Sequence, residues 1–204
     1  MDVLIITGGI GSGKSEACRI LKEEFGCGVY YADERVKQMY DIHHTLLGDI
    51  EKLTGQSLRD SEGKFVPSRL SALIFTDSQL LDKVEQLVFP ALMEDFASWA
   101  KAYENDAFVV LESATVLEKP YFKGLGDKVI VVDANMETRM ERASVRDGVP
   151  HERISARMKN QKMMNSISNG EFNPDVDVIV YNTGTLTDLR NSIVSAVRNL
   201  YGKL

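Results

Sequence analysis

The 204-residue sequence is poor in the features of secreted, membrane-spanning and nucleic-acid-binding proteins. Its two cysteines form no Cys-X-X-Cys pair, so we expect free thiols in a reducing compartment rather than a bridge. No apolar run approaches the roughly 20 residues of a membrane helix, and the first residues carry no basic leader. A net charge of −6 disfavours general binding to nucleic acid or anionic membranes. These absences predict a cytoplasmic protein without nucleic-acid or membrane partners.

Short apolar runs alternate with amphipathic segments along the chain. The runs are continuous, which is typical of parallel strands buried on both faces; they lie at 3–6, 29–32, 108–111, 129–133 and 178–181. Residues 35–103 carry mostly helical patterns, with a polar, turn-rich loop expected at 56–67. One helical pattern is predicted from Gln79 to Leu92, with its apolar positions lying before Pro90. We therefore predict an α/β, three-layer fold with a mostly parallel sheet. Its core comprises 1–34, 104–135 and 170–204, with a helical insertion at 35–103 and an arginine-rich segment at 136–169.

The residues after the first apolar run fit the phosphate-loop pattern GxxxxGK[ST]. In such a loop, glycines let phosphates approach the backbone amides, the lysine adds charge and the hydroxyl binds Mg²⁺. The loop follows a strand and opens a helix, which favours a nucleotide site over a glycine-rich turn with an incidental lysine. Glu16 either points outward or weakens nucleotide binding. The predicted nucleotide-binding residues are Gly9, Gly11, Ser12, Gly13, Lys14, Ser15 and Glu16, with Ser15 as the metal ligand.

Asp33 follows the second apolar run, at the edge where open parallel sheets bind ligands. Two interpretations fit this position equally well. The carboxylate either accepts a hydroxyl proton during phosphoryl transfer or caps a helix that begins at Glu34.

Arginines are concentrated in one stretch of this acidic protein. They are Arg139, Arg142, Arg146, Arg153 and Arg157, and the first three share a helix face. One interpretation is a solvated surface paired with nearby glutamates. The phosphate loop favours the other, a mobile lid in which Arg142 and Arg146 bind the transferring phosphoryl group.

Together these motifs resemble the dephospho-coenzyme A kinases over nearly the whole chain. The matching segments are TGGIGSGKS ending at Ser15, Tyr-Ala-Asp ending at Asp33, R-x-x-x-R-D-G from Arg142, R-x-x-x-Q from Arg157 to Gln161, and N-x-G from Asn182. The combination of the loop with the arginine segment is more specific than the loop alone.

The resemblance implies transfer of the ATP γ-phosphate, with Mg²⁺, to the ribose 3′-hydroxyl of dephospho-CoA, the last step of coenzyme A synthesis. It implies that Asp33 activates that hydroxyl, that 35–103 is the acceptor (CoA) domain and that 136–169 is the lid. The catalytic residues would be Asp33, Lys14, Arg142 and Arg146; Arg142, Arg146 and Asn182 would also bind ATP; Glu118, Arg157 and Gln161, with Asp33, would bind the acceptor. We expect a monomer or a weak homo-oligomer.

The chain departs from this family's usual residues at several positions, which are Glu16, Tyr31, Pro67, Phe89 and Arg139. The last stands where the family usually has glutamine. These departures concern acceptor binding more than the phosphate chemistry. They leave two alternatives: another small-molecule, nucleoside or nucleotide kinase on the same scaffold, or a nucleotide-binding switch or inactive paralogue.

Overall fold

The computed structural model describes residues 1–75 and 77–202, with His44 described by its backbone alone. The chain divides into two compact units. The first, which we call the core unit, comprises Met1–Tyr31 and Tyr103–Leu204. The second, the helical unit, comprises Ala32–Ala102. In the described ranges, no helix is both long enough and apolar enough to cross a membrane.

A five-stranded sheet forms the centre of the core unit. Its strands are β1 (Asp2–Thr7), β2 (Val29–Tyr31), β3 (Phe108–Glu112), β4 (Lys128–Asp133) and β5 (Val178–Tyr181). The strand order is β2-β3-β1-β4-β5, and all four pairings are parallel. This confirms the predicted α/β fold with a parallel sheet. The order also places β3, rather than β2, directly beside β1, so the carboxyl end of β3 adjoins the loop that leaves β1.

Helices connect the strands. In chain order they are α1 (Lys14–Phe25), α2 (Ala32–Ile42), α3 (His44–Thr54), α4 (Pro67–Ile74), α5 (Ser78–Ala100), α6 (Met136–Asp147), α7 (His151–Lys159), α8 (Lys162–Ser168) and α9 (Leu186–Tyr201). Short 3-10 turns lie at Lys101–Tyr103 and Pro120–Phe122. α2 to α5 make up the helical unit, and the others belong to the core unit.

Alternate strand residues pack against different helices on the two faces of the sheet. Ile6 and Val132 belong to the main apolar cluster, which includes buried residues of α1 and α9. Val131, the neighbour of Val132, packs on the other face with Met164 and Ile167 of α8. Because successive strand side chains point to opposite faces, the runs had to be continuously apolar to bury both. The core unit therefore has three layers, as predicted.

The helix predicted over Gln79–Leu92 is too short at its C-terminal end. The helix α5 continues through Pro90 to Ala100. Proline removes one backbone donor and crowds the preceding turn, which usually ends or kinks a helix. Here a buried stripe at four-residue spacing runs past it, and that burial outweighs the local penalty. The stripe consists of Val84, Val88, Leu92, Phe96 and Ala100.

Two leucines of α9 provide a test of which face supports the core unit. Leu189 is 2% exposed and Leu186 is 52% exposed. We expect Leu189→Ala to lower the free energy of unfolding by about 2–5 kcal/mol, because it leaves a cavity beside the sheet. Leu186→Ala, the same change on the exposed side, should alter it by less than about 0.5 kcal/mol. Urea unfolding followed by circular dichroism measures both, and equal effects would contradict this packing.

Candidate active site

The phosphate loop lies between β1 and α1, in the strand–loop–helix context that the sequence predicts. The Gly9 carbonyl accepts hydrogen bonds from the Ser12 amide at 3.1 Å and from Lys14 Nζ at 3.3 Å. Gly11 and Gly13 have φ of 76° and 103°, which side chains disfavour. The loop therefore closes tightly on itself just before α1 begins at Lys14.

Glycines in this loop also allow other parts of the core unit to approach it. A Cβ atom at Gly9 would collide with the Arg139 guanidinium, and one at Gly11 would collide with the Arg139 backbone. A Cβ at Gly13 would collide with the Asn182 side chain. The sequence argument assigned these glycines to phosphate contact alone. Their neighbours give a second reason for glycine here, which is close packing of α6 and of the turn after β5.

Glu112 is a site residue that the sequence analysis missed. It is buried at the carboxyl end of β3, and its Oε1 lies 3.9 Å from Lys14 Nζ. In proteins that bind nucleotides with a phosphate loop, a carboxylate from another strand commonly joins the loop hydroxyl in holding Mg²⁺. The signal was present as four apolar residues followed by an acid, but its meaning depends on β3 lying beside β1, which periodicity does not reveal.

Asp33 lies in the first turn of α2, which begins at Ala32. The helix therefore starts before Glu34, so the alternative that Asp33 caps a helix beginning there is wrong. β2 ends at Tyr31, at the same sheet edge from which the phosphate loop leaves β1. Asp33 itself belongs to the helical unit, whereas the loop belongs to the core unit.

The arginines predicted to form a lid have described partners that include an acid of the same segment. Asp147 accepts from Arg146 Nε at 2.7 Å and from Arg157 Nη1 at 2.6 Å. These bonds, with that from Arg146 first, lower the pKa of Asp147 to about 2. The carboxylate thus stays charged until the pH falls toward 2, and it holds both arginines at neutral pH. Arg142 Nη1 donates to the Asn182 carbonyl at 3.4 Å.

Arg139 departs from the charged face that its spacing indicates. Its side chain is only 1% exposed, with Nε donating to the Ile10 carbonyl at 3.1 Å. Nη1 lies 3.3 Å from Asp133 Oδ1 and 3.2 Å from Ser168 Oγ. Burial lowers the pKa of Arg139, and the Asp133 charge opposes that shift. Arg139 is therefore a buried residue that contacts the backbone of the phosphate loop, and it is not part of a solvent-exposed face.

Two predicted residues contact the phosphate loop directly through their side chains. Gln161 Oε1 accepts from the Ile10 amide at 2.9 Å, and Gln161 is buried. Asn182 Nδ2 donates to the Ser12 carbonyl at 2.9 Å. Both side chains therefore bind the loop's backbone.

Other predicted residues have described contacts away from the loop. Glu118 Oε1 accepts from the Met164 amide at 3.2 Å, at the start of α8. Glu16 pairs with Arg19, whose Nε lies 3.0 Å from Oε2, and this bond lowers the pKa of Glu16. Arg157 is held by Asp147, as described above. Glu16 thus takes the outward orientation that was one of its two interpretations.

Comparison with known proteins agrees with this architecture. The dephospho-CoA kinase family profile matches residues 3–188. A dephospho-CoA kinase of Porphyromonas gingivalis is 38% identical over 168 residues, 82% of this chain and 81% of that protein. A Thermus thermophilus protein of known structure superposes with a TM-score of 0.82 at 24% identity, covering 98% of both chains. A Campylobacter jejuni dephospho-CoA kinase superposes with a TM-score of 0.66 at 22% identity, covering 98% of this chain and 96% of that one.

Both solved structures are less than 25% identical to this chain in sequence, so their similarity to it shows the fold alone. The family profile spans most of the sequence, from β1 to the first turn of α9. The similarity to the Porphyromonas protein includes four fifths of each chain. This chain belongs to the dephospho-CoA kinase family.

Proposed function

We propose that this protein transfers the γ-phosphate of ATP to the ribose 3′-hydroxyl of dephospho-CoA, giving ADP and coenzyme A. The observation that carries the proposal is the buried pairing of Lys14 with Glu112 beneath a closed phosphate loop, in a chain of this family. A cation for the outer phosphates and a carboxylate for the metal are two of the recurring parts of phosphoryl-transfer sites built on such a loop.

The loop and its neighbours supply the nucleotide-binding part of the site. Amides of residues 11–15 and the N-terminus of α1 bind the phosphates, and Lys14 binds the outer ones. The Ser15 hydroxyl and the Glu112 carboxylate are oxygen ligands of the kind that Mg²⁺ takes in combination with substrate phosphates, so these residues would hold the ion. When bound, Mg²⁺ neutralises charge on the β- and γ-phosphate oxygens.

The lid arginines stabilise the phosphoryl group during its transfer. Guanidinium donors suit the equatorial oxygens, and Arg142 and Arg146 carry them. Asp147 orients Arg146 through a charged hydrogen bond from Nε at 2.7 Å. The lid comprises 136–169, and Asn182 contributes to ATP binding by fixing the Ser12 carbonyl.

The acceptor reacts through its 3′-oxygen. That oxygen forms a bond to the γ-phosphorus as the bond to the ADP oxygen breaks, and Asp33 takes the hydroxyl proton. The segment 35–103 is the proposed acceptor domain, and Glu118 and Arg157 are further candidate acceptor-binding residues. The enzyme works in the cytoplasm as a monomer or weak homo-oligomer, with Mg²⁺-ATP and dephospho-CoA as substrates.

A screen of acceptors with Mg²⁺-ATP tests this function. Purified protein is incubated with dephospho-CoA, nucleosides or nucleoside monophosphates, and ADP release and phosphorylated product are measured. Of these acceptors, we expect only dephospho-CoA to be turned over, and its product should be phosphorylated at the 3′ position of the ribose. Turnover with a nucleoside instead would indicate another kinase, and ADP release without acceptor would indicate a nucleotide-dependent switch.

Lys14→Ala should reduce kcat at least about a hundredfold, because the charge on the outer phosphates is lost. Lys22→Ala provides a matched control, since Lys22 is an exposed lysine of the same helix and should leave kcat unchanged. Initial rates with saturating dephospho-CoA measure both, and thermal melting shows that each variant is folded. Wild-type turnover in folded Lys14→Ala would refute the role of the loop.

Asp33→Asn should reduce kcat at least about a hundredfold while leaving the KM for ATP nearly unchanged, because only the proton acceptor is removed. Glu34→Gln neutralises the adjacent exposed carboxylate in the same helical turn and should have no such effect. Steady-state kinetics with both substrates varied makes the comparison. An unaltered rate for Asp33→Asn would mean that this carboxylate takes no proton.

A further inference from the structure

Both peptide groups of Ile10, at the tip of the phosphate loop, are bonded to side chains from the lid. The Ile10 amide donates to Gln161 Oε1 at 2.9 Å, and its carbonyl accepts from Arg139 Nε at 3.1 Å. Both of these side chains are buried. The loop tip is therefore held from two sides by groups that touch neither Lys14 nor Ser15 in any described contact.

The bond to Gln161 fixes the peptide plane between Gly9 and Ile10. This peptide is trans, so its carbonyl and amide point in opposite directions. With the Ile10 amide turned toward Gln161, the Gly9 carbonyl points the other way, where it accepts from the Ser12 amide and Lys14 Nζ. Gln161 thus acts through one rigid peptide on the position of the loop lysine.

The bond from Arg139 fixes the next peptide plane in the same manner. Its donation to the Ile10 carbonyl turns the Gly11 amide to the opposite side, away from the guanidinium. Gly11 begins the run of amides that the proposed function assigns to the phosphates. Because φ at Gly11 is 76°, a backbone without this support has other conformations open to it.

The Ile10 side chain makes a third connection to the lid. It packs against the apolar cluster of Ala143, Ile154 and Met158, which joins α6 to α7. Two hydrogen bonds and one apolar contact thus fasten a single loop residue to the segment 136–169. The two hydrogen bonds set the orientation of the Ile10 peptide groups, and the apolar packing of the Ile10 side chain keeps water from competing for those bonds.

We infer that Arg139 and Gln161 are positioning residues for ATP, which orient the phosphate loop through Ile10 and leave acceptor binding to other groups. The inference rests on the proposed function, because it requires that the loop bind ATP. It differs from the role in acceptor binding that the resemblance implies for Gln161. It also assigns Arg139 a role in orienting the loop, at a position where the family usually has glutamine.

Gln161→Met is the first test, because methionine has similar volume and cannot accept from the Ile10 amide. It also removes the longer bond of 3.5 Å from Gln161 Nε2 to the Ala114 carbonyl. Calorimetric titration of Mg²⁺-ATP without acceptor should show an affinity lowered about tenfold, because the Ile10 amide loses its buried acceptor. The KM for dephospho-CoA should stay within about twofold. Ser168→Ala is the matched control, since it removes a partner of Arg139 but leaves both bonds to Ile10. Its ATP affinity should equal that of the wild type.

Arg139→Lys is the second test and retains the charge that buried Asp133 requires. One ammonium group cannot replace a guanidinium that reaches Ile10, Asp133 and Ser168 together, so ATP affinity should again fall about tenfold. In the double variant the loss should be smaller than the product of the single losses, because both bonds hold one residue. Melting temperatures show whether each variant is folded. If Gln161→Met does not fold, the ATP affinity of Arg139→Lys tests the inference.

The outcomes separate this inference from the function on which it rests. A wild type that fails to bind ATP would overturn the proposed function. Wild-type ATP binding with unchanged affinity in the folded variants would overturn the inference alone. A higher KM for dephospho-CoA with unchanged ATP affinity would assign Gln161 to the acceptor and would likewise overturn it. An equal loss in Ser168→Ala would show general loosening around Arg139 rather than positioning of Ile10.

Discussion

A phosphate-binding loop made from main-chain amides must hold its peptide planes in one orientation while carrying almost no side chains of its own. In this protein, bonds within the loop are supplemented by side chains from outside it. Asn182 binds the Ser12 carbonyl, Gln161 the Ile10 amide and Arg139 the Ile10 carbonyl. Glycines at 9 and 11 permit the close approach of Arg139, and the glycine at 13 permits that of Asn182. The loop and the segments packed against it therefore form one structural unit, and changes on either side affect both.

The parallel sheet brings those supports to one place. Carboxyl ends of parallel strands lie at a single edge, so the loop after β1, Glu112 on β3, Asp133 on β4 and Asn182 after β5 meet there. The order of strands also matters. With β3 beside β1, the Glu112 carboxylate can reach the loop lysine, and β2 delivers the chain to the helical unit from the edge of the sheet.

The sequence predicts the parts of the fold and site that depend on local pattern. Continuous apolar runs indicate buried parallel strands, and the glycine-lysine-serine spacing locates the loop before α1. Three features escaped this reasoning because they depend on distant residues. Glu112 acquires its meaning from strand order, α5 passes Pro90 because its buried stripe continues beyond it, and Arg139 is buried because Asp133 and Ile10 lie where its guanidinium ends. Spacing along a helix gives the face of an arginine but not what covers that face.

Burying Arg139 has a thermodynamic consequence beyond the loop. A charged pair taken out of water rarely adds net stability, and an apolar pair of similar volume often serves as well. What the charged pair offers over an apolar pair is orientation, because the planar Arg139 guanidinium binds three oxygens at fixed angles. Glutamine at this position has one amide donor group and no charge, so it would leave Asp133 without a cation. The arginine and Asp133 are therefore coupled, and replacing either one alone leaves a buried charge unpaired.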